Sequence, residues 1–535
     1  MEGLHQLEIV ILLLAVVLAL TTIAQKIFIP YPILLVIGGL ILGVIPGLPT
    51  VTLSPDLVFL VFLPPILWAA AYFTSWREFR FNMRPISLLA VGLVLATTAA
   101  VAAVAHTMLP GIGWPEALAL GAIVSPSDAV SATAIGPRLR IPRRVVTILE
   151  GESLVNDATA LILYRAAVGA AVGGSFVLRQ TLFEFVFAAV GGVVIGLAVS
   201  LVTRWALRAT EDSFTQIAIT LLAPYVAWVL GESTHASAVL ACVAGGLYIR
   251  QHFSAEVAPT TRLQARSVWN LLIFLLNGFI FILIGLQLGA LRQAVPSGQF
   301  GSVLIAGALV SLTAIVVRLG WVPPAAAIPR LLSPSLRARD PMPPWSTLLL
   351  IGWTGMRGIV TLAAALALPI TTSAGLPFPF RAEIILISFS VIMATLVLQG
   401  LSLAPLIQAL HLEEERGLEQ EEMLARERAA AAALGRLDTL AGEEWLTGEH
   451  LDRLRVYYGR QLQRFARSNS VDPDCSVEAG EAFRRLRHET LTAERLALIA
   501  LRNDGTISDG VLHRLEHELD VEALRHGIGE RRVTR

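Results

Sequence analysis

The first 410 residues form a succession of apolar runs, each about 20 residues long, and no other feature restricts the fold as much. A helix rises ~1.5 Å per residue, so each run covers the ~30 Å hydrocarbon core of a bilayer. Within lipid every backbone N–H and C=O must be satisfied inside the segment, which makes runs of this length helices. Thirteen occur, at roughly 6–25, 27–46, 55–74, 84–108, 115–136, 143–172, 181–206, 213–231, 235–250, 266–291, 301–328, 344–370 and 381–410. The expected fold class is an all-α polytopic membrane protein. A chain of 535 residues with 55 % hydrophobic and 15 % charged residues is too apolar for a soluble globular fold.

Basic residues alternate between the connections. One set holds Lys26; Arg77, Arg80 and Arg84; Arg138, Arg140, Arg143 and Arg144; Arg204 and Arg208; Arg250, Arg262 and Arg266; and Arg318, Arg330, Arg337 and Arg339. The opposite set holds Arg179, Arg292 and Arg381. Cytoplasmic loops carry the Lys/Arg excess, so the N-terminus is expected outside and the segment after residue 410 inside. The start, MEGLHQLEIVILLLAVVLALTTIAQ, lacks a basic stretch before its apolar run and reads as a first membrane helix, not a cleaved signal.

Two domains follow: a transmembrane domain over 1–410 and a cytoplasmic helical domain over 411–535. The first carries 22 Lys/Arg against 16 Asp/Glu and the second 19 against 25, and neither balance suits a nucleic-acid partner. Cys242 and Cys475 are too few and too isolated for a disulfide framework or a metal site. His106, His235 and His252 fall at span ends or loops and read as interfacial residues. The tail opens HLEEERGLEQEEMLARERAAAAALGRL, a strong helix former, and further helices are expected near 448–467, 476–501 and 508–526. A self-packing helical bundle is the simplest reading of it.

Thirteen spans allow two six-helix halves around a linking seventh, which sets the fifth span against the twelfth. Ser125-Pro126-Ser127 interrupts the fifth; Gly352, Gly355 and Gly358 interrupt the twelfth. Paired broken segments in corresponding halves point to a transporter's binding site. Inverted repeats with two crossed discontinuous helices are therefore expected.

Ionisable groups lie deep in the same region. Asp128 is 13 residues past Pro115, Asp157 is 13 past Arg144, and Arg357 is 13 past Pro344, so each is expected near the bilayer midplane. A charge there costs at least about 2.5–3.5 kcal/mol and marks a functional candidate. One arginine cannot neutralise all of Asp128, Glu152 and Asp157. Helical spacing puts Ser153 and Asp157 on one stripe, with Glu152 and Asn156 on the next. Hydroxyls, carboxylates and carbonyls freed by a broken helix are oxygen ligands, which suit hard cations.

LEGESLVNDATALILY, SPSDAV and GWTGMRGIVTLAAALALP together resemble the electroneutral monovalent cation/proton antiporters, the sodium–proton exchanger group. The resemblance extends through FLPPILWAAAYFTSWREFR, APYVAWVLGESTHASAVLACVAGGLYI and FLLNGFIFILIGLQL, and Asn156-Asp157 is its most specific element. It implies that Asp157 binds the transported Na+ or H+, with Asp128 and Ser127 at the crossed helix and Ser153 as a neighbouring ligand. It also implies that Glu152, Asn156 and Arg357 form a polar set tying the sixth span to the twelfth. A homodimer in the cell membrane, without a cofactor, is part of the same expectation. Many relatives read Thr-Asp-Pro where this chain has Ser127-Asp128-Ala129 after Pro126; the helix break is expected to persist.

With Glu152 and Arg357 neutralising each other, Asp157 is the carboxylate that must carry a proton or a sodium ion before the site can cross a dry intermediate. Competition for it predicts one-for-one exchange and a pH optimum. Two rivals stand beside this reading. A K+/H+ antiporter uses the same ligand chemistry. An intramembrane aspartyl protease would use Asp128 and Asp157 as a dyad, but neither sits in a Gly-x-Gly-Asp sequence. A channel is disfavoured, since no filter-like repeated loop is present.

Overall fold

The computed structural model describes residues 2–27, 29–45, 58–128, 141–173, 178–294, 300–373, 375–410, 417–441 and 448–468, with scattered positions beyond 490. The chain divides into two compact units, Met1–Glu414 and Glu415–Arg535. Among the described residues the regular elements of the first unit are all helices, apart from an isolated bridge between Thr371 and Pro377 in a connecting loop.

Its helices are α1 (Glu2–Ile27), α2 (Tyr31–Val44), α3 (Val58–Phe73), the short α4 (Trp76–Phe81), α5 (Met83–Met108) and α6 (Trp114–Val124). They continue with α7 (Arg143–Gly173), α8 (Leu178–Arg208), α9 (Ser213–Ser233), α10 (Ala238–Glu256), α11 (Pro259–Ala294) and α12 (Phe300–Leu332). The last are α13 (Pro334–Arg339), α14 (Trp345–Trp353), α15 (Ile359–Leu366) and α16 (Arg381–Ala409). Eight of the described helices are long and apolar enough to cross a membrane, and α2, α3 and α6 are shorter apolar helices. Large apolar side chains stand on the outside of several, such as Val10, Ile11 and Leu18 on α1 and Phe183, Val190, Val194 and Trp205 on α8. A soluble protein avoids continuous patches of this kind; in a bilayer they face lipid or other helices.

Two of the expected breaks are visible. The α6 helix stops at Val124, and Ser125–Asp128 runs on without helical structure because Pro126 supplies no N–H to continue the ladder. The expected second part of the fifth span falls at 129–136, outside the described residues. The twelfth span is α14 and α15, separated by the non-helical Thr354–Gly358. Elsewhere, π-helical turns at Leu88–Leu93 and Thr395–Gln399 interrupt α5 and α16. Such turns shift the register of a helix and often sit beside functional groups.

The helices nearest the breaks pack in sequence. The α6 helix lies against α5, α7 and α15, and α12 lies against α5, α14 and α16. On another flank α2 and α11 share a long seam in which Gly39 faces Ile282 and Gly285 faces Val36 and Leu40, backbone to backbone. A Cβ on either glycine would overlap a carbonyl oxygen of the other helix. Small residues of this kind let membrane helices approach closely where no hydrophobic effect drives them together.

In the second unit α17 (Gly417–Leu440) packs against α18 (Gly448–Ser468), with Arg455 pairing to Asp438 at 2.6 Å. The helices expected at 476–501 and 508–526, and Cys475, lie almost wholly outside the described residues.

The glycine seam yields a stability prediction. Gly285→Ala is expected to destabilise the protein by about 1–3 kcal/mol through overpacking, read as a lower unfolding midpoint in detergent. Gly320→Ala, on an exposed stretch of α12 with nothing near the added carbon, is expected to leave the midpoint unchanged.

Candidate functional site

The two non-helical stretches meet. The Asp128 N–H donates to the Met356 carbonyl at 2.7 Å, and Gly358 lies so close to the Asp128 carboxyl group that a Cβ there would collide with it. Helix ends leave carbonyls without partners, and in a membrane core these need donors. Arg357 supplies them: its Nε donates to the Val124 carbonyl at 3.0 Å, at the C-terminus of α6, and its guanidinium also donates to Gly355. A cation beside the negative end of α6 is favourably placed with respect to the helix dipole. Thr395, in the π-turn of α16, accepts the Arg357 N–H at 3.1 Å and so ties this segment to α16.

Glu152 does not pair with Arg357. Its partner is Arg318 on α12, whose two terminal nitrogens each donate to one carboxylate oxygen, the Nη2–Oε2 bond measuring 2.8 Å. Both side chains are almost wholly buried, and the Arg318 Nε caps the Ile351 carbonyl near the end of α14 at 3.2 Å. The fork of a guanidinium matches a carboxylate in this two-bond manner, which a lysine would not. The sequence reading of Glu152 and Arg357 as mutual neutralisers is thus corrected, as is the counting of Arg318 among loop residues. Arg318 is inside the bundle because α12 continues through Pro323, Pro324 and Pro329 to Leu332.

Ser127 joins the two groups. Its hydroxyl donates to Glu152 at 2.7 Å, and the Asn156 side-chain amide donates to the Ser127 carbonyl and hydroxyl, each at 3.1 Å. Glu152 and Asn156, on one stripe of α7, therefore clamp the unwound end of α6. The neighbouring stripe presents Ser153 and Asp157 to a cavity of about 210 Å³. Ser127 and Asp128 line it from the broken fifth span, Gly358 and Thr361 from the twelfth, and Asn277 from α11. Its remaining walls are largely apolar, including Leu63, Ile66, Leu67 and Ile273.

Among the described residues Asp157 has neither a hydrogen bond nor an ion pair, although it is only 6 % exposed. The hydroxyl of Thr361 and the Oδ1 of Asn156 are also buried without a partner. All four residues proposed as ion ligands, Asp157, Asp128, Ser153 and Ser127, thus line one cavity. Glu152 and Asn156 stand just behind it and Arg357 braces its rim. Sequence reasoning missed Arg318, Thr361 and Asn277. The histidines lie away from the cavity: His106 stacks on Trp114 and bonds the Ile112 carbonyl at 2.9 Å, and His252 bonds the Tyr248 carbonyl at 3.0 Å.

The transmembrane model of the sodium/hydrogen exchangers matches residues 11–409. The chain belongs to that family. It is 33 % identical over 524 residues to an uncharacterised Na+/H+ exchanger of Mycobacterium tuberculosis, covering 97 % of this chain and 96 % of the relative. It is 33 % identical over 416 residues to a sodium, potassium, lithium and rubidium/H+ antiporter of Bacillus pumilus, covering 74 % and 60 % respectively. In fold it is similar to the sodium proton antiporter MjNhaP1 from Methanocaldococcus jannaschii, with a TM-score of 0.60 and 20 % identity, over 77 % of this chain and all of that one. The exchanger is a multi-pass membrane transporter of cations and protons.

Breaking the buried ion pair tests this geometry. Arg318→Met is expected to lower stability in detergent by about 3–5 kcal/mol, because it strands Glu152. The double variant Arg318→Met, Glu152→Met is expected to recover much of that loss. A double variant no more stable than the single one would contradict the pairing.

Proposed function

We propose that this exchanger carries one Na+ or Li+ against one H+ by alternating access, with both ions competing for Asp157. The observation that carries the reading is a buried carboxylate, without a partner among the described residues, on a cavity that also presents Ser127, Asp128 and Ser153. The charge balance around it sharpens the stoichiometry. Leaving aside the partly exposed Glu150 on the same cavity, Glu152, Asp128 and Asp157 oppose Arg318 and Arg357, which leaves one uncompensated negative charge when all are ionised. One proton or one sodium ion cancels it. Moving the bare charge through a dry intermediate would cost several kcal/mol of desolvation, so the carrier crosses loaded in either direction. Net charge movement is then zero.

In this reading Ser153, Ser127 and Asp128 join Asp157 as ligands, and Thr361 and Asn277 are within the same oxygen set. Thirteen crossings, an inverted repeat and a crossing of the fifth and twelfth spans provide the frame, and the contact between Asp128 and Met356 supports that crossing. Residues 1–410 form the exchanger domain and 411–535 a cytoplasmic helical domain, with the N-terminus outside. We place the protein in the cell membrane as a homodimer serving sodium and pH homeostasis, on the strength of the family resemblance. A second reading includes K+ among the cargo, since the Bacillus pumilus relative is named for sodium, potassium, lithium and rubidium alike.

Proton flux in proteoliposomes, driven by gradients of each chloride salt in turn, tests both. The wild type is expected to respond to Na+ and Li+, with a rate indifferent to an imposed membrane potential. Asp157→Asn is expected to lower exchange at least about a hundredfold, since an amide cannot alternate between proton and cation. Normal exchange by that variant overturns the mechanism, and a voltage-dependent rate overturns the stoichiometry.

A further inference from the structure

A third carboxylate on α7 lies outside this scheme. Glu150 lines the same cavity as Asp157 but lies seven residues before it, about 10 Å along the helix axis. It is partly exposed, and among the described residues it has no hydrogen bond or ion pair. Glu78 of α4 is a charged neighbour on another helix, and its own carboxylate is occupied by Arg143 at 3.0 Å and by the Thr147 hydroxyl at 2.9 Å.

These residues form a line. Arg143, Thr147, Glu150, Ser153 and Asp157 follow one another at spacings of four, three, three and four, which keeps them on a single face of α7. Arg143 at one end has a 48 % exposed side chain, Glu150 is partly exposed and Asp157 is 6 % exposed, although Thr147 between the first two is buried. Ser153 stands between Glu150 and Asp157 on α7, and the cavity lining also includes the apolar Leu63, Ile66, Leu67 and Ile273. A cation crossing that stretch sheds water and meets few oxygens in return, so a carboxylate one step from solvent divides the desolvation into two smaller stages.

We propose that Glu150 is a staging site for the monovalent cation on the Arg143 side of the membrane, holding it before transfer to Asp157. Glu150 acts as a positioning residue through its charge, raising the local cation concentration, and does not take part in the exchange at Asp157. The inference rests on the proposed exchange of cations for protons. One charge about 10 Å from the site, at an effective dielectric of about 25–50, changes cation occupancy roughly three- to tenfold.

The test is the apparent KM for Na+ and the maximal exchange rate of full-length protein in proteoliposomes, for Glu150→Asp, Glu150→Gln and Glu150→Lys. Ordering by charge is expected: Asp close to wild type, Gln raised about three- to tenfold in KM, and Lys raised further, with the maximal rate of the Gln variant held within about twofold. A packing role predicts the opposite order for the first two, because Gln matches Glu in size and Asp does not. Unchanged KM in Glu150→Gln, or ordering by size, overturns the proposal. Glu232→Gln removes a carboxylate that pairs with Arg165 beyond Asp157 on α7, and its KM is expected to match wild type. Wild-type protein without cation-coupled proton flux overturns the exchange reading together with this one. Normal wild-type exchange with a neutral Glu150→Gln overturns this one alone.

Discussion

The two-bonded pairing of Arg318 with Glu152 organises the centre of the bundle. It joins α12 to α7, and through the Ser127 hydroxyl it fixes the unwound end of α6 as well. A lone buried ion of either sign would be prohibitively costly in such a place, and a pair with further hydrogen bonds is tolerable. By consuming Glu152, the pair leaves Asp157 as a buried carboxylate without a counter-ion among the described residues.

Arg357 solves a different problem with the same side chain. Opening a helix inside a membrane frees carbonyls, and its guanidinium gathers those of Val124 and Gly355 from two separate breaks. Arg318 does likewise for Ile351. Unwound backbone can persist at this depth because arginines are spent on carbonyls as well as on a carboxylate. The close approach of Gly358 to Asp128 belongs to the same arrangement, since only a residue without a side chain leaves room for that carboxyl group.

Much of this was legible before any coordinates. Apolar runs and alternating arginines announce the membrane helices, Pro126 and the glycines of the twelfth span announce the breaks, and helical spacing assigns Ser153 and Asp157 to a common face. Partner choice was less visible. Glu152 and Arg357 are plausible mates by depth alone, but depth does not specify which helix turns toward which. Arg318 was counted with the loop arginines although it falls within the span expected at 301–328, and the helix runs on to Leu332. The clue available in sequence was electrostatic: three acids and one arginine in the core demanded another cation, and Arg318 stands 18 residues past the start of its helix. Thr361 and Asn277 gave no signal, since nothing in their local sequence distinguishes a cavity-facing polar group from one packed elsewhere.

The central claim is that a proton and a metal ion exclude one another at a single carboxylate. Adding Na+ to purified protein in weakly buffered detergent, at a pH where the site is protonated, measures this without any membrane. The account predicts that close to one proton is released for each sodium ion bound. Sodium binding without proton release would contradict it.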